Sequence, residues 1–205
     1  MFRLINKLAS FFYPILVERI PSKISGEIEL SLQNGKLVMD SSTANYSYGS
    51  LHTLFQKVIK YFNFNEDNHK ALILGFGGGS IAEILNEEQQ LNLKITALEL
   101  DRVVVDVYKK HFIKETHQTT LIQGDALMFL KNSTEKFDYI FIDVFKNLDV
   151  PEKFQTQEFL DLLLKVSFPH TQIAMNTTLN DENGFVVLWQ KQFGKHTILK
   201  QLTPL

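Results

Sequence analysis

The chain contains no cysteine among its 205 residues. This absence excludes disulfide bonds, thiolate metal ligands and a cysteine nucleophile, and it leaves the cytoplasm as the expected compartment. An excess of positive charge is also missing, because 21 Lys and Arg residues stand against 23 Asp and Glu residues, a formal net charge of -2. Proteins that bind nucleic acid through its phosphates are usually basic, so no nucleic acid partner is expected.

A hydrophobic run that could cross a membrane is missing as well, since a transmembrane helix needs about 20 apolar residues in succession. The best candidate, Met1–Ile20, is interrupted by Pro14 and ends near the charged pair Glu18-Arg19. We predict an amphipathic helix there, packed on the domain or on a partner subunit, with membrane-surface association as the less favoured alternative. This apolar first helix and the β-hairpin that follows it are candidate surfaces for a homodimer.

The hydrophobic pattern divides the chain into two parts. Residues within Ser25–Asp40 alternate in a strand-like way around Asn34-Gly35, a strong β-hairpin signal. Leu51–Phe62 has the apolar spacing of an amphipathic helix. We therefore assign residues 1–62 to an N-terminal helix, a small hairpin and a linking helix, and residues 63–205 to a second, larger domain.

Strand and helix patterns alternate regularly in the larger domain. The predicted strands are ALIL, KITALEL, TLIQGD, YIFIDV and QIAMNTT, with a final strand in HTILKQL. Such alternation predicts an α/β fold of the Rossmann-like, doubly wound type, with a mostly parallel sheet covered by helices on both faces. Ligands of these sheets bind beyond the carboxyl ends of the strands.

A glycine-rich turn follows the first of these strands. In the segment ALILGFGGGSIAE, four apolar residues lead into the glycine turn, which contains Gly75, Gly77, Gly78 and Gly79. Glycine enters positive φ freely and allows a ligand to approach the backbone. The spacing of Ser80 and Glu83 predicts a capping box at the start of the next helix. This pattern is typical of a nucleotide-binding or nucleoside-binding turn.

Acidic residues stand at the carboxyl ends of the following strands and are expected to meet at one rim of the sheet. Glu99 follows the glycine turn by roughly the 20 residues typical of an acid that binds ribose hydroxyls. Asp125, followed by Ala126, is suited to accept from an adenine amino group or to cap the next helix. Asp143 either stabilises its own loop or faces the reacting part of a ligand. Asp101 is expected to cap its helix.

The residue types that are missing from the glycine turn exclude several classes of nucleotide ligand. No Gly-Lys-Ser/Thr follows the glycines, which excludes a P-loop, and Ser80 occupies the sixth position of a dinucleotide G-x-G-x-x-G motif. The turn also has no Lys or Arg to match a phosphate. Carboxylates around such a turn suit an uncharged adenosine with a cationic arm, as in S-adenosylmethionine. No metal is expected, because the scattered histidines lack metal-ligand spacing.

At these residues the chain resembles the class I S-adenosylmethionine-dependent methyltransferase fold and, more narrowly, the spermidine synthase (polyamine aminopropyltransferase) family. The segments that carry the likeness are, in order, ALILGFGGGS, TALELDRVVVDVYKKHF, LIQGDALMFL, FDYIFIDVF and VPEKFQTQEFLDLL. The hairpin is similar to the family's N-terminal β-domain, and the likeness covers roughly Gly26–Leu164. An ordered set of this kind is far more specific than any one motif.

The resemblance implies a role for each matching residue. The glycine turn would line the nucleoside thioether of S-adenosylmethionine or of its decarboxylated form. Glu99 would hold the ribose, and Asp125 and Ala126 would lie at the adenine. Asp143 matches the acid that accepts a proton from the attacking amine, and an ammonium must lose a proton before it can attack.

The sequence departs from the family pattern where the acceptor is expected. The family's Asp-x-x-Asp-Pro loop reads DVFKN here, so Lys146 stands where a second carboxylate would hold a cationic polyamine. The family's tyrosine–histidine–glutamate element is also missing, although Tyr46, Tyr48 and His52 lie in that region.

Three functions therefore remain open. The favoured one is a spermidine synthase-like transferase with a non-standard small-molecule acceptor, for which an amine is one candidate. The second is a true polyamine aminopropyltransferase in which Asp149 replaces the missing acid. The third is a non-catalytic nucleoside-binding or dimerising protein, since one fold can host many functions.

Overall fold

The computed structural model describes residues 2–41, 50–67, 69–113, 118–145, 149–177, 185–193 and 198–201. Three residues named above, Tyr46, Tyr48 and Lys146, lie outside this described part. The described residues form two sheets, a three-stranded sheet near the N-terminus and a six-stranded sheet after it.

One helix and three strands make up the N-terminal part. Helix α1 spans Phe2–Ala9, and an antiparallel sheet contains, in order, β1 (Ile15–Ser22), β2 (Gly26–Gln33) and β3 (Lys36–Ser41). The predicted hairpin is confirmed. Its two turn residues, Asn34 and Gly35, have φ values of 48° and 75°, as a tight two-residue hairpin turn with two left-handed residues requires.

The single helix predicted over Met1–Ile20 is wrong in its second half. The helix stops before Pro14, and a strand begins at Ile15. Proline restricts the residue before it to extended conformations, and the β-branched residues that follow favour a strand. Two apolar side chains of this segment, Leu8 and Phe12, are 59% and 88% exposed, so they do not pack on the domain. Packing on a partner subunit stays a prediction.

Six parallel strands with helices on both sides form the larger part. The strands are β4 (Lys70–Leu74), β5 (Lys94–Glu99), β6 (Thr119–Gln123), β7 (Phe137–Ile142), β8 (Ser167–Thr177) and β9 (Ile198–Gln201). Their order across the sheet is β6-β5-β4-β7-β8-β9, and all five pairings are parallel. This order confirms the predicted Rossmann-like, doubly wound α/β fold.

The helices cover both faces of this sheet. They are α2 (Ser50–Ile59), α3 (Ser80–Glu83) with a π-helical continuation (Ile84–Glu88), α4 (Arg102–His111), α5 (Ala126–Asn132), α6 (Gln157–Lys165) and α7 (Phe185–Phe193). A short 3-10 helix spans Glu152–Phe154. No helix within the described ranges has both the length and the apolar character needed to span a membrane.

Alternate residues of β4 contribute to two separate cores. Ala71 and Ile73 pack with α2 and α3, whereas Leu72 and Leu74 pack with α5, α6 and α7. Trp189 of α7 is fully buried in the second core. Burial of both faces explains why the strands are continuous apolar runs in the sequence.

Asp101 fixes the N-terminal sheet to the carboxyl rim of the larger sheet. Its Oδ1 accepts a hydrogen bond from the Val103 backbone N–H at 2.9 Å, which confirms the predicted helix cap. Its Oδ2 accepts from the hydroxyls of Ser22 and Ser25, at the turn between β1 and β2. Apolar residues of β2 and β3 pack on α4 beside this contact. One buried carboxylate therefore holds both a helix start and a turn of the other sheet.

The glycine turn lies where the strand order reverses, between the ends of β4 and β7. Gly75, Gly77 and Gly79 have φ values of 84°, 53° and 85°. A Cβ atom at Gly75 would lie 2.2 Å from the carbonyl oxygen of Asp143. Only glycine therefore allows the two loops to meet at this point.

The capping box predicted at Ser80 and Glu83 is wrong. The helix begins at Ser80 itself, and Gly79 before it has left-handed backbone angles and makes no side-chain cap. A Cβ at Gly79 would lie 2.7 Å from Cε2 of Tyr108. The backbone of the glycine turn, rather than a side chain, sets the start of α3.

Replacing Asp101 by alanine is predicted to lower the free energy of unfolding by about 2–3 kcal/mol, because the helix cap and the acceptor for two hydroxyls are both lost. Asp106→Ala in the same helix removes only an exposed ion pair with Arg102 and should cost about 0.5 kcal/mol. Urea unfolding of both variants measures the difference. Equal losses would show that Asp101 does not anchor the two sheets.

Gly75→Ala is predicted to lower the free energy of unfolding by about 3 kcal/mol or more, since the methyl group meets backbone atoms at a left-handed position. Gly124→Ala is the matched control, because an added Cβ there meets nothing within 4 Å, and its effect should stay within about 0.5 kcal/mol. Urea unfolding compares the two. A neutral Gly75→Ala variant would refute the close approach of the two loops.

Candidate active site

Glu99 connects the glycine turn to the end of the neighbouring strand. Its Oε2 accepts from the Gly77 backbone N–H and its Oε1 accepts from the Asp101 backbone N–H, both at 2.9 Å. The side chain is 8% exposed. Burial raises the pKa of Glu99, the two backbone hydrogen bonds oppose this, and the charge of Asp101 adds to the rise. An ionised carboxylate has about four lone-pair sites, so acceptor capacity remains for ligand hydroxyl donors.

Asp143 follows β7 directly and faces the glycine turn. Its backbone N–H donates to the Leu74 carbonyl at 2.8 Å, and its Oδ1 accepts from Asn176 Nδ2 at 2.9 Å. Burial raises the pKa of the half-buried Asp143 carboxyl to about 6. The Asn176 hydrogen bond opposes the shift, and the negative charge of Glu99 adds to it. Two acids with raised pKa values therefore flank the turn, and the charge of Glu99 disfavours the charged form of Asp143.

Asp125 caps helix α5, which was one of its two predicted roles. Its Oδ1 accepts from the Met128 backbone N–H at 3.1 Å, and its Oδ2 accepts from Lys153 Nζ at 2.5 Å. Burial raises the pKa of Asp125, but the Lys153 and backbone hydrogen bonds outweigh it, so the net shift is downward. Ala126 begins the helix and is almost fully buried.

The predicted acids do converge at one rim. The Gly124 backbone N–H donates to the Glu99 carbonyl at 2.8 Å, which brings the turn before Asp125 to the end of β5. Gly75 contacts the Asp143 backbone on the other side. His52 lies elsewhere, in α2, where its Nε2 is 2.7 Å from Glu88 Oε1 of the π-helix.

Three residues at this rim were not singled out in the sequence. Asn176 bonds Asp143 from the end of β8, Lys153 bonds Asp125 from the 3-10 helix, and Leu100 leaves 44% of its surface exposed beside Glu99. Asn176 could have been identified from the sequence, because it is a polar residue at the carboxyl end of a predicted strand. Lys153 could not have been identified in this way, since no sequence periodicity places its loop relative to Asp125.

Comparison with known proteins identifies relatives of the chain. A family model described as "Spermine/spermidine synthase domain" matches residues 52–178. A polyamine aminopropyltransferase of Vibrio vulnificus is 33% identical over 104 residues, which are 47% of this chain and 33% of the relative. One from Sulfurisphaera tokodaii is 29% identical over 166 residues, 75% of this chain and 53% of the relative. The alignments thus span a third to a half of the relatives' own length.

Solved structures support the fold. Human methyltransferase-like protein 13, in complex with SAH, superposes with a TM-score of 0.59 at 18% identity, over 70% of this chain and 73% of that chain. A probable spermidine synthase from Corynebacterium glutamicum gives a TM-score of 0.53 at 18% identity, over 78% of this chain and 60% of that chain. At such identities the likeness establishes the class I methyltransferase fold.

The family match covers the sheet from α2 to β8 and includes the glycine turn, Glu99, Asp125 and Asp143. It begins at residue 52, so the similarity predicted for the N-terminal hairpin stays a prediction. Because the match covers more than half of the chain, the protein belongs to the spermine/spermidine synthase family, whose matched curated members are polyamine aminopropyltransferases.

Proposed function

We propose that this chain binds S-adenosylmethionine or its decarboxylated form and transfers a group from the sulfonium to a small acceptor, most simply an amine. The observation that carries the proposal is the pair of acids beside the glycine turn. Glu99 and Asp143 both have raised pKa values, and the charge of Glu99 raises that of Asp143. A site that holds two such acids together favours a cationic ligand.

The nucleoside would lie across the ends of β4, β5 and β6. The glycine turn allows a close approach to its backbone, and the free lone pairs of Glu99 suit a ribose diol. Asp125 and the start of α5 at Ala126 would hold the edge of an adenine, while the exposed Leu100 offers its face an apolar contact. The sulfonium would then lie near Asp143.

Asp143 would act as the proton acceptor. An ammonium acceptor gives a proton to the carboxylate, and the neutral nitrogen attacks the carbon bonded to the sulfonium. The carbon–sulfur bond breaks with its electron pair on sulfur, which leaves a neutral thioether. The Asn176 hydrogen bond would hold the Asp143 carboxylate in one orientation for this step.

The acceptor distinguishes the two leading forms of this proposal. Lys146 in place of the family's second acid favours an acceptor other than ordinary putrescine. The names of the curated relatives favour the second form, a polyamine aminopropyltransferase, in which the exposed Asp149 would bind the far end of the polyamine. A cytoplasmic location and a homodimer remain part of the proposal.

Calorimetric titration with S-adenosylmethionine, decarboxylated S-adenosylmethionine and methylthioadenosine tests the donor site. We expect at least one of the three to bind, and the tighter of the two sulfonium compounds identifies the donor. Absence of binding by all three would contradict the transferase proposal and leave the non-catalytic alternative.

The affinity for a sulfonium donor, relative to that for neutral methylthioadenosine, is predicted to fall by about five- to tenfold from pH 7 to pH 5. The folded-state pKa of Asp143 is raised to about 6, so the carboxyl becomes neutral over this range and stops attracting the cation. Asp143→Asn should remove most of this dependence, leaving any contribution from Glu99. A ratio that is independent of pH in the unmodified protein would place the cation away from Asp143.

Glu99→Gln is predicted to weaken methylthioadenosine binding by about 1–2 kcal/mol, because an amide offers a ribose diol fewer acceptors. The control is Glu135→Gln, which alters an exposed ion pair with Lys70 at the opposite end of β4 and β7 and should leave binding unchanged. Calorimetry at a temperature where both variants are folded gives the affinities. Unchanged affinity in Glu99→Gln would show that Glu99 does not bind the ribose.

A further inference from the structure

Lys153 forms an ion pair with Asp125 at the edge of the candidate nucleoside site. Its Nζ lies 2.5 Å from Asp125 Oδ2 and 5.0 Å from the centre of the Phe154 ring. The two side chains are 44% and 26% exposed, so the pair is open to solvent and to a ligand. The 3-10 helix that carries Lys153 comes after Asp143 in the chain, and the ion pair joins this helix to the start of α5.

The pair presents an acceptor next to a donor. Asp125 Oδ1 is occupied by the Met128 N–H, so Oδ2 is the oxygen that remains beside Lys153. An ionised carboxylate only accepts hydrogen bonds, and an ammonium only donates them. A ligand that contacts both groups must therefore place a donor at Asp125 and an acceptor at Lys153.

Adenine carries the complementary pattern. Its N6 amino group is a donor and the adjacent N7 is an acceptor, whereas bases with an oxygen at position 6 present two acceptors on the same edge. We propose that Lys153 is a specificity-determining residue that donates to N7 of the base while Asp125 accepts from the 6-amino group. This inference rests on the proposed nucleoside site and adds a second side chain to its recognition of the base.

The alternative is an ion pair that only supports the loop, because exposed pairs of this kind contribute about 0–1 kcal/mol. The two roles differ in how they depend on the ligand. A supporting pair affects every nucleoside equally, whereas a donor to N7 affects only ligands that have this nitrogen.

The experiment measures binding of methylthioadenosine, its 7-deaza analogue and methylthioinosine to the unmodified protein and to Lys153→Met. We expect Lys153→Met to lower the affinity for methylthioadenosine about five- to twentyfold and to leave the affinity for the 7-deaza analogue unchanged. The unmodified protein should bind methylthioinosine at least about tenfold more weakly than methylthioadenosine. Lys153→Arg, which keeps a cationic donor, should restore most of the affinity for methylthioadenosine.

Lys131→Met is the matched control, since Lys131 forms an ion pair with Glu158 at 2.8 Å with a similar exposure of the lysine, and it should change no affinity. Equal weakening of both adenine ligands by Lys153→Met, or no weakening of either, would overturn the role of Lys153 while the nucleoside site stands. Failure of the unmodified protein to bind any of the three nucleosides would overturn the proposed function together with this inference.

Discussion

The buried carboxylate of Glu99 holds the candidate site together. Through its two oxygens it binds the backbone of the glycine turn at Gly77 and the backbone of Asp101. Asp101 in turn binds the hydroxyls at the turn of the N-terminal sheet. A continuous series of hydrogen bonds thus runs from the first sheet to the switch point of the second. The series depends on an acid kept at 8% exposure, which is costly without such partners.

The same carboxylate sets the electrostatics of the rim. Its charge adds to the burial that raises the pKa of Asp143 to about 6. With this pKa the carboxyl is mostly ionised at neutral pH yet near its titration range, a suitable state for the proposed role of accepting a proton and later releasing it. Glu99 therefore supports the backbone of the turn and also adds, after burial, to the raised pKa of Asp143.

Much of the fold could be predicted from the sequence because buried parallel strands leave apolar runs and glycines mark their ends. The acids after three strands converge as expected, since parallel strands end at one rim. The cap of α3 could not be predicted correctly, because Ser80 and Glu83 satisfy a capping-box pattern that the left-handed Gly79 overrides. Asn176 and Lys153 meet Asp143 and Asp125 only through sheet order and loop path, which no local spacing encodes. Strand β1 was missed because an apolar run before and after Pro14 fits a helix and a strand equally well.

Identification of the nucleoside product of turnover tests the central claim most directly. The protein is incubated with decarboxylated S-adenosylmethionine or S-adenosylmethionine and a panel of amines, and the released thioether is identified by mass spectrometry. The account predicts methylthioadenosine from the first donor or S-adenosylhomocysteine from the second, with release abolished in Asp143→Asn although that variant still binds methylthioadenosine. Turnover that persists in Asp143→Asn at the rate of the unmodified protein would contradict the account.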